Sequence, residues 1–401
     1  MIKRLAPILG VTFVDILGFS LLIPLLPFYV THFGASAFVV GLLFSTFSLC
    51  QLISGPLWGN VSDRIGRKSV LIISQIGATI GWAMLAFAPS IPWVFFARIV
   101  EGVSGGNIGV TQAYVADLVE PKQRSRAFGY IGATFAAAMA FGPLMGGIVN
   151  GLTHSYAIPL LVAAGLQLLT LVLTIFMLPE SRSKSEESSA VGPMEIVRTF
   201  ANPALSRLLW QKLALSLSLY AWFSVFTLFL MRQLRFSLPA TDYLFSAFAI
   251  VNVFTNTAGV GRASDRLGDR RMSMLGIFFL IGAFALVPFV HAIPLMVAVM
   301  ILFSGGMAFA NTGLTAMISA TEDDARQGTV LGVTSSLDSL SGIASPLIST
   351  RLLDRYGSPW SGAASLAFAL VAFTIAAFGA KAPTQHAKSG AETDAALAPA
   401  E

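Results

Sequence analysis

Long apolar stretches alternate with short turns rich in Gly, Pro and charged residues along most of the chain. A helix needs about 20 apolar residues to cross a hydrocarbon core about 30 Å thick. The pattern predicts twelve such segments, at roughly 5–30, 38–60, 70–88, 93–117, 126–150, 156–178, 206–231, 241–261, 272–290, 293–318, 328–350 and 359–380. All are expected to be helices, because a helix satisfies its own backbone hydrogen bonds where lipid offers no partner. The interruption at 179–205 holds Pro179, Glu180, a Ser/Lys/Glu cluster and Pro193, and reads as a cytoplasmic linker. It divides the chain into an N-terminal six-helix bundle, 1–178, and a C-terminal one, 206–380. The tail 381–401, rich in Ala and polar residues, is expected to be disordered. The expected fold is therefore all-α and membrane-embedded, with twelve transmembrane helices in two pseudo-symmetric bundles.

A repeat supports the division. The turn Gly59-Asn60-Val61-Ser62-Asp63-Arg64-Ile65-Gly66-Arg67-Lys68 returns 202 residues later, degraded, as Gly261-Arg262-Ala263-Ser264-Asp265-Arg266-Leu267-Gly268-Asp269-Arg270-Arg271. A repeat of half the chain length in so apolar a sequence points to two similar bundles, the layout of a secondary transporter.

Composition agrees. Apolar residues make up 55% of the 401 and charged residues only 11%, where a soluble domain carries roughly 25%. The mean hydropathy is +0.76. The basic residues then orient the chain. Lys3, Arg4, Arg64, Arg67, Lys68, Lys122, Arg124, Arg126, Arg182, Lys184, Arg198, Arg207, Lys212, Arg262, Arg266, Arg270, Arg271, Arg326, Lys381 and Lys388 fall on the side of the N-terminus. Arg232, Arg235, Arg351 and Arg355 fall opposite, and Arg98 lies inside a span. The positive-inside rule places both termini and the linker in the cytoplasm. The basic balance follows from this loop bias and does not signal nucleic-acid binding.

Other classes find little support. Lys3 and Arg4 precede an apolar run that is too long for the h-region of a cleaved signal peptide, about 7–15 residues. One cysteine, Cys50, excludes an intramolecular disulfide and a Cys-based zinc site. The four histidines are scattered, and no metal site or Walker A loop is expected. Asn60-Val61-Ser62 matches a glycosylation sequon but falls on the cytoplasmic side and reads as chance.

The turn from Gly59 to Lys68 resembles the signature between helices two and three of the major facilitator superfamily. Asp15-Ile16-Leu17-Gly18-Phe19 with Pro24 and Pro27 resembles the first-helix motif of its twelve-span drug/proton antiporters. Arg98 with Glu101-Gly102 resembles the fourth-helix motif, and Gly142-Pro143-Leu144-Met145-Gly146-Gly147 the fifth-helix antiporter motif. Ala113 to Asp117 and Arg326-Gln327-Gly328 are similar to the tetracycline/proton antiporters. The resemblance implies two bundles around one central site, no cofactor, and a proton gradient as the energy source. It also has departures. Tetracycline exporters carry an acid in helix three, a histidine in helix eight and an acid in helix nine, where an ungapped reading here finds Gly81, Asn252 and Leu280. Asp338, in mid-span of helix eleven, is an additional acid.

Each motif has a physical reading. Gly59 is expected to let helices approach closely and Gly66 to permit a tight turn. Asp63 lies near a helix N-terminus, and Arg67 can bond a carboxylate in a bidentate manner. The resemblance implies Asp117 as the partner. Together with Arg64, and with Asp265 and Arg266 of the second copy, these residues are expected to form a latch that holds the cytoplasmic side shut. The alternative is a plain topology anchor. Gly142, Gly146 and Gly147 allow close packing and Pro143 kinks the helix, which suits a hinge or seal as well as ordinary packing.

Charge inside a span is the sharpest clue, since it costs at least about 2.5–3.5 kcal/mol on insertion scales and so faces a partner or a cavity. Asp15, Arg98, Glu101 and Asp338 lie well inside helices. Arg98 and Glu101, three apart, share a face and can pair. Burial favours the neutral form of a carboxyl and an adjacent arginine the charged form, so a carboxyl poised between them can exchange a proton as its surroundings change. These four are the candidates for proton coupling or cargo charge. Gln112, Asn252, Asn311 and Trp222 are the candidates for lining the cavity. The expected function is export of a small amphipathic, drug-like compound in exchange for protons by alternating access, from the bacterial inner membrane, by a monomer with no nucleic-acid partner. The alternatives are a uniporter or importer of a sugar or other metabolite on the same fold, and a membrane receptor that transports nothing. No nucleophile–base or metal constellation suggests an enzyme.

Overall fold

The computed structural model of the chain describes residues 2–105, 108–120, 123–181, 200, 203–321 and 327–378. Most of the linker, the C-terminal tail, Asn107, Lys122 and Arg326 lie outside the described residues. Thirteen α-helices are described: α1 (Ile2–His32), α2 (Ala37–Ile65), α3 (Arg67–Ala86), α4 (Ile91–Ser104), α5 (Ile108–Leu118), α6 (Arg124–Thr153), α7 (Ala157–Met177), α8 (Pro203–Gln233), α9 (Leu238–Phe254), α10 (Gly261–Leu286), α11 (Ile293–Ser319), α12 (Gln327–Tyr356) and α13 (Ala363–Ala377). A π-helical turn, Thr255–Val260, joins α9 to α10. No strand occurs among the described residues.

Nine stretches of the described residues are long and apolar enough to cross a membrane, and one of them, Leu238–Phe289, spans 52 residues and contains both α9 and α10. Two of the expected crossings fall short of that measure. The fourth is divided, α4 ending before Gly105 and α5 starting at Ile108. The eleventh, α12, carries a polar face of Ser341, Ser345 and Ser349, all fully buried. Ser345 donates to the Leu217 carbonyl of α8 at 2.9 Å, and Ser349 lies 2.8 Å from Ser224 of α8. Hydropathy alone therefore passes over a helix whose polar face is turned onto protein rather than lipid. Elsewhere large apolar side chains stand exposed, Phe176, Phe278, Ile53 and Ile301 among them, as a lipid-facing surface requires.

Helices α1–α7 pack on one another, as do α8–α13, and two pairings, α2 with α12 and α6 with α9, join the two sets most extensively. The repeat is visible in three dimensions. Gly66 and Gly268 both adopt positive φ, 97° and 74°, a backbone conformation that glycine alone enters without strain. Gly66 separates α2 from α3, whereas Gly268 kinks a helix that continues through the segment expected to be a turn. Lys68 Nζ donates to the Ile175 carbonyl at the end of α7 at 2.8 Å. Its counterpart 202 residues on, Arg270, donates to the Ala376 carbonyl at the end of α13 at 3.3 Å. In each set a basic residue of the repeated turn thus satisfies an orphan carbonyl at a helix C-terminus.

Every side-chain hydrogen bond described between the two sets lies toward the end opposite the N-terminus. Asp354 of α12 accepts from the backbone N–H groups of Ala37 and Phe38, at 3.2 and 2.8 Å, at the start of α2. Ser45 donates to the Ile343 carbonyl at 2.7 Å, one turn before Pro346. Thr31 of α1 meets Met231 of α8. A Cβ on Gly41 would meet the Pro346 carbonyl at 2.8 Å, so α2 and α12 touch backbone to backbone here. Further along α2, Gln51, Ser54 and Trp58 donate instead to the carbonyls of Gly105, Gly102 and Val103, at 3.1, 3.0 and 2.6 Å. The seam between the sets is thus closed at one end.

Candidate functional site

At the N-terminal end, the repeated turn builds an ionic cluster. Arg67, at the start of α3, bonds Asp63 of α2 at 2.7 Å and Asp117 of α5 at 3.4 Å, and donates to Ser62 Oγ at 2.5 Å. The structure brings together Asp63, Arg67 and Asp117, and their ion pairs tie α2, α3 and α5 of one set to each other rather than one set to the other, so the cluster as described is not itself a bond across the seam. Glu180, read from the sequence only as linker, completes the site: its Oε1 accepts from the Lys68 backbone N–H at 3.3 Å, and its carboxylate sits over Gly66. A carboxylate at the N-terminus of α3 is favourably placed for the helix dipole. Arg64 is exposed. Nothing lies within 4 Å of a Cβ placed on Gly59, so the expected close approach there does not occur.

The second copy differs. Asp265 and Arg266 are exposed, and the contact made is Ser264 Oγ to Asp269 Oδ1 at 2.6 Å. Asp269 is the counterpart of Arg67 and Ser264 that of Ser62. The same pair of positions is joined with the charge reversed, and the Asp265–Arg266 half of the expected latch is not formed.

Two ion pairs lie inside the helices, one in each set. Arg98 and Glu101, both on α4 and both almost fully buried, pair with each other, and the Arg98 guanidinium also lies over the Phe47 ring, 4.2 Å from its centroid. Arg98 Nε and Glu101 Oε1 remain buried without a hydrogen-bond partner. Gly81 of α3 makes room for the acid: a Cβ there would be 2.6 Å from Glu101 Cγ.

In the C-terminal set, Lys212 Nζ of α8 donates to Asp338 Oδ1 of α12 at 3.0 Å and to Asn311 Oδ1 of α11 at 3.1 Å. Ser216 donates to the same Asp338 oxygen at 2.5 Å. Lys212 was expected beside the loops on the strength of the charge count. It is instead well inside α8, its side chain 8% exposed, while that of Asp338 is 34% exposed. The carboxylate is thus the accessible member and the ammonium stands behind it. Asp338 and Asn311 are brought together as candidates of one site, and Lys212 is the member that sequence reasoning missed.

The remaining candidates separate. Asp15 is half-buried on α1 beside Gln167 of α7. Gln112 is exposed. Asn252 accepts from Asn256 at 3.0 Å and donates to the Ser304 carbonyl at 3.4 Å, so it bonds across helices. Trp222 does not line an open space. It is 1% exposed and packs among Phe226, Phe229, Phe284 and Phe303, with centroids 5.4 to 6.4 Å away. The fifth-helix motif divides its work: Gly142 packs on Leu17 and Ser20 of α1, while Gly146 and Gly147 receive Asp242 and Tyr243 of α9 from the other set. Pro143 lies within α6, between them. Asp242 is a further buried acid that the span boundaries had left at a helix end. Among the described residues no cluster of metal-ligating side chains occurs.

Comparison with known proteins agrees with this geometry. The family model described as Major Facilitator Superfamily matches residues 8–237 and 213–400. The tetracycline resistance protein, class C, of Escherichia coli is 32% identical over 387 residues, 90% of this chain and 92% of that protein. Multidrug resistance protein 2 of Bacillus subtilis (strain 168) is 28% identical over 355 residues, 85% of this chain and 86% of that protein. Among solved structures, the nucleoside transporter NupG superposes with a TM-score of 0.76 at 15% identity, covering 92% of this chain and 96% of that one.

Proposed function

We propose that this chain, which belongs to the major facilitator superfamily, exports a small amphipathic, drug-like compound in exchange for protons. The proposal includes twelve crossings in two six-helix halves, both termini and the linker cytoplasmic, and one site between the halves reached alternately from each side. With that orientation, the closed end of the seam described above is the one facing away from the cytoplasm.

The observation that carries the reading is the Lys212–Asp338 pair with Asn311 and Ser216. It is a buried ion pair with one accessible carboxylate on helices that border the partner half. Polar groups at such depth in a bundle are expensive to keep and serve binding or relay. A cationic group of the cargo and a proton would compete for Asp338, which makes exchange obligatory. The relatives named for tetracycline resistance support drug export. The helix-three, -eight and -nine positions, Gly81, Asn252 and Leu280, argue against tetracycline itself as cargo. Yet the space beside Gly81 is occupied by an acid: Glu101 enters it from α4. Leu280 is fully buried core, and Asp338 on α12 is an acid of the C-terminal half that is paired and partly accessible. The charge needed for coupling is supplied from neighbouring helices.

The test uses the protein in liposomes with an acid interior and a trapped pH dye, challenged in turn with lipophilic cations, tetracyclines and sugars. Collapse of the gradient that needs both a given compound and an intact Asp338 or Glu101 supports exchange and names a cargo class. Uptake of a labelled sugar with no proton movement would favour the uniporter instead.

A further inference from the structure

Asp242 has no role in the ion pairs above. It lies one turn into α9, where its residue is 1% exposed. Its Oδ1 is buried without a hydrogen-bond partner. The wall it faces is built from Gly146 and Gly147 of α6: Cβ atoms there would come within 3.5 Å of Asp242 Oδ2 and 3.0 Å of its Cβ, and the Gly146 position also faces Leu21 of α1 at 3.2 Å. These are the two fifth-helix glycines that meet the opposite half, so the carboxyl is enclosed by the seam itself. If the seam opens, water reaches it. An ionised carboxylate enclosed in this way, with a lone oxygen and no cation, is costly.

The elements packed against α9 offer no compensating charge at this depth. No titratable side chain occurs between Tyr130 and Thr153 on α6, and none occurs on α11 or in the π turn. On α8, Lys212 and Arg232 are bonded to Asp338 and Asp354, Arg207 donates to the Ile375 carbonyl, and Tyr220 lies toward Asp338. On α1, Arg4 and His32 stand at or near the two ends, Asp15 is beside Gln167, and Tyr29 donates to the Leu85 and Ala88 carbonyls at 3.0 and 3.2 Å. Tyr243, the neighbour of Asp242 on α9, faces Gly147.

We infer that Asp242 is a proton switch of the seam: it holds a proton when α6 and α9 are packed and releases it when they part. The proton comes from and returns to the same side, so the switch sets the balance between the two conformations and carries no charge across the membrane. The sign follows directly. The closed seam binds one more proton than the open one, so acid favours closure and alkali favours opening, by up to about tenfold in their ratio per pH unit. The inference rests on the alternating-access reading, but its readout needs no cargo, so a wrong cargo class leaves it intact.

The experiment measures distances between spin labels at Leu152→Cys and Phe289→Cys, exposed positions at the closed end of opposite halves, in a Cys50→Ser background in lipid nanodiscs. Between about pH 5 and pH 10, a range that spans carboxyl shifts of several units, the wild-type side chain should give a short distance in acid and a growing longer one in alkali. Asp242→Asn should keep the short distance throughout, and Asp242→Glu should retain a pH response. A wild-type distribution independent of pH, or an unchanged slope in Asp242→Asn, would overturn the inference.

Discussion

Removing the two members of the Lys212–Asp338 pair should have unequal consequences, with the more exposed member mattering more. In Asp338→Asn the ammonium is left 8% exposed, with only neutral amide oxygens, that of Asn311 and the one introduced at position 338, as acceptors. Stranding a buried charge costs about 3–5 kcal/mol, and the bond to Asn311 places this case at the lower end. In Lys212→Met the carboxylate left behind is 34% exposed and keeps its bond from Ser216. Its loss should resemble that of a solvated pair, about 0–1 kcal/mol. The double variant removes both charges and should return to near wild-type stability, as replacement of buried pairs by apolar residues often does. Unfolding of all four proteins in mixed micelles gives the energies, and transport by the same proteins gives the function. Restored stability without restored transport in the double variant assigns the pair to cargo or proton. Equal losses in the two single variants, or a double variant as unstable as Asp338→Asn, would refute the reasoning.

Three other outcomes follow from the geometry. Gly66→Ala forces a side chain into positive φ and places Cβ 2.5 Å from Glu180 Oε2, so it should lose about 1–2 kcal/mol from the backbone alone, and adding Glu180→Ala should relieve only the collision. Arg98→Met and Glu101→Gln should each destabilise by about 3–5 kcal/mol and the combination by far less, which a double-mutant cycle on unfolding checks. Asp354→Asn weakens the cap that joins α12 to the start of α2; a loss of about 1 kcal/mol should raise labelling of a cysteine at buried Val40 by a membrane-impermeant maleimide roughly fivefold.

The helices and their repeat were legible in the sequence because lipid permits few other solutions to the backbone hydrogen-bond problem. Asp63 and Arg67 were legible because the turn that holds them is a short signature with a fixed spacing, and Asp117 entered only as the partner that the family resemblance implies. The partner of Asp338 was not legible. Lys212 lies far from it in sequence, on a helix whose polar residues, Gln211, Ser216, Ser218 and Ser224 among them, are spread around the axis, where periodicity does not reveal which side is turned inward. The same ambiguity placed Trp222 in an open cavity when it is packed among phenylalanines. Asp242 was hidden by a boundary, since a span that starts at 241 leaves it looking like an end residue. Glu180 was hidden by its neighbours, because the polar linker that follows it drew it out of the site it caps. Gly59 shows the reverse error: the residue type permits close approach, but only the packing decides whether anything approaches.

The central claim is that movement of the cargo and of protons is obligatorily linked. Its most direct test starts with no pH difference. Liposomes loaded with a cargo identified by the dye assay are diluted into cargo-free buffer, and internal pH is followed. The account predicts that cargo leaving down its gradient drives protons in, acidifying the interior, and that the stable Lys212→Met/Asp338→Asn variant abolishes this. Cargo efflux at an unchanged internal pH would contradict it.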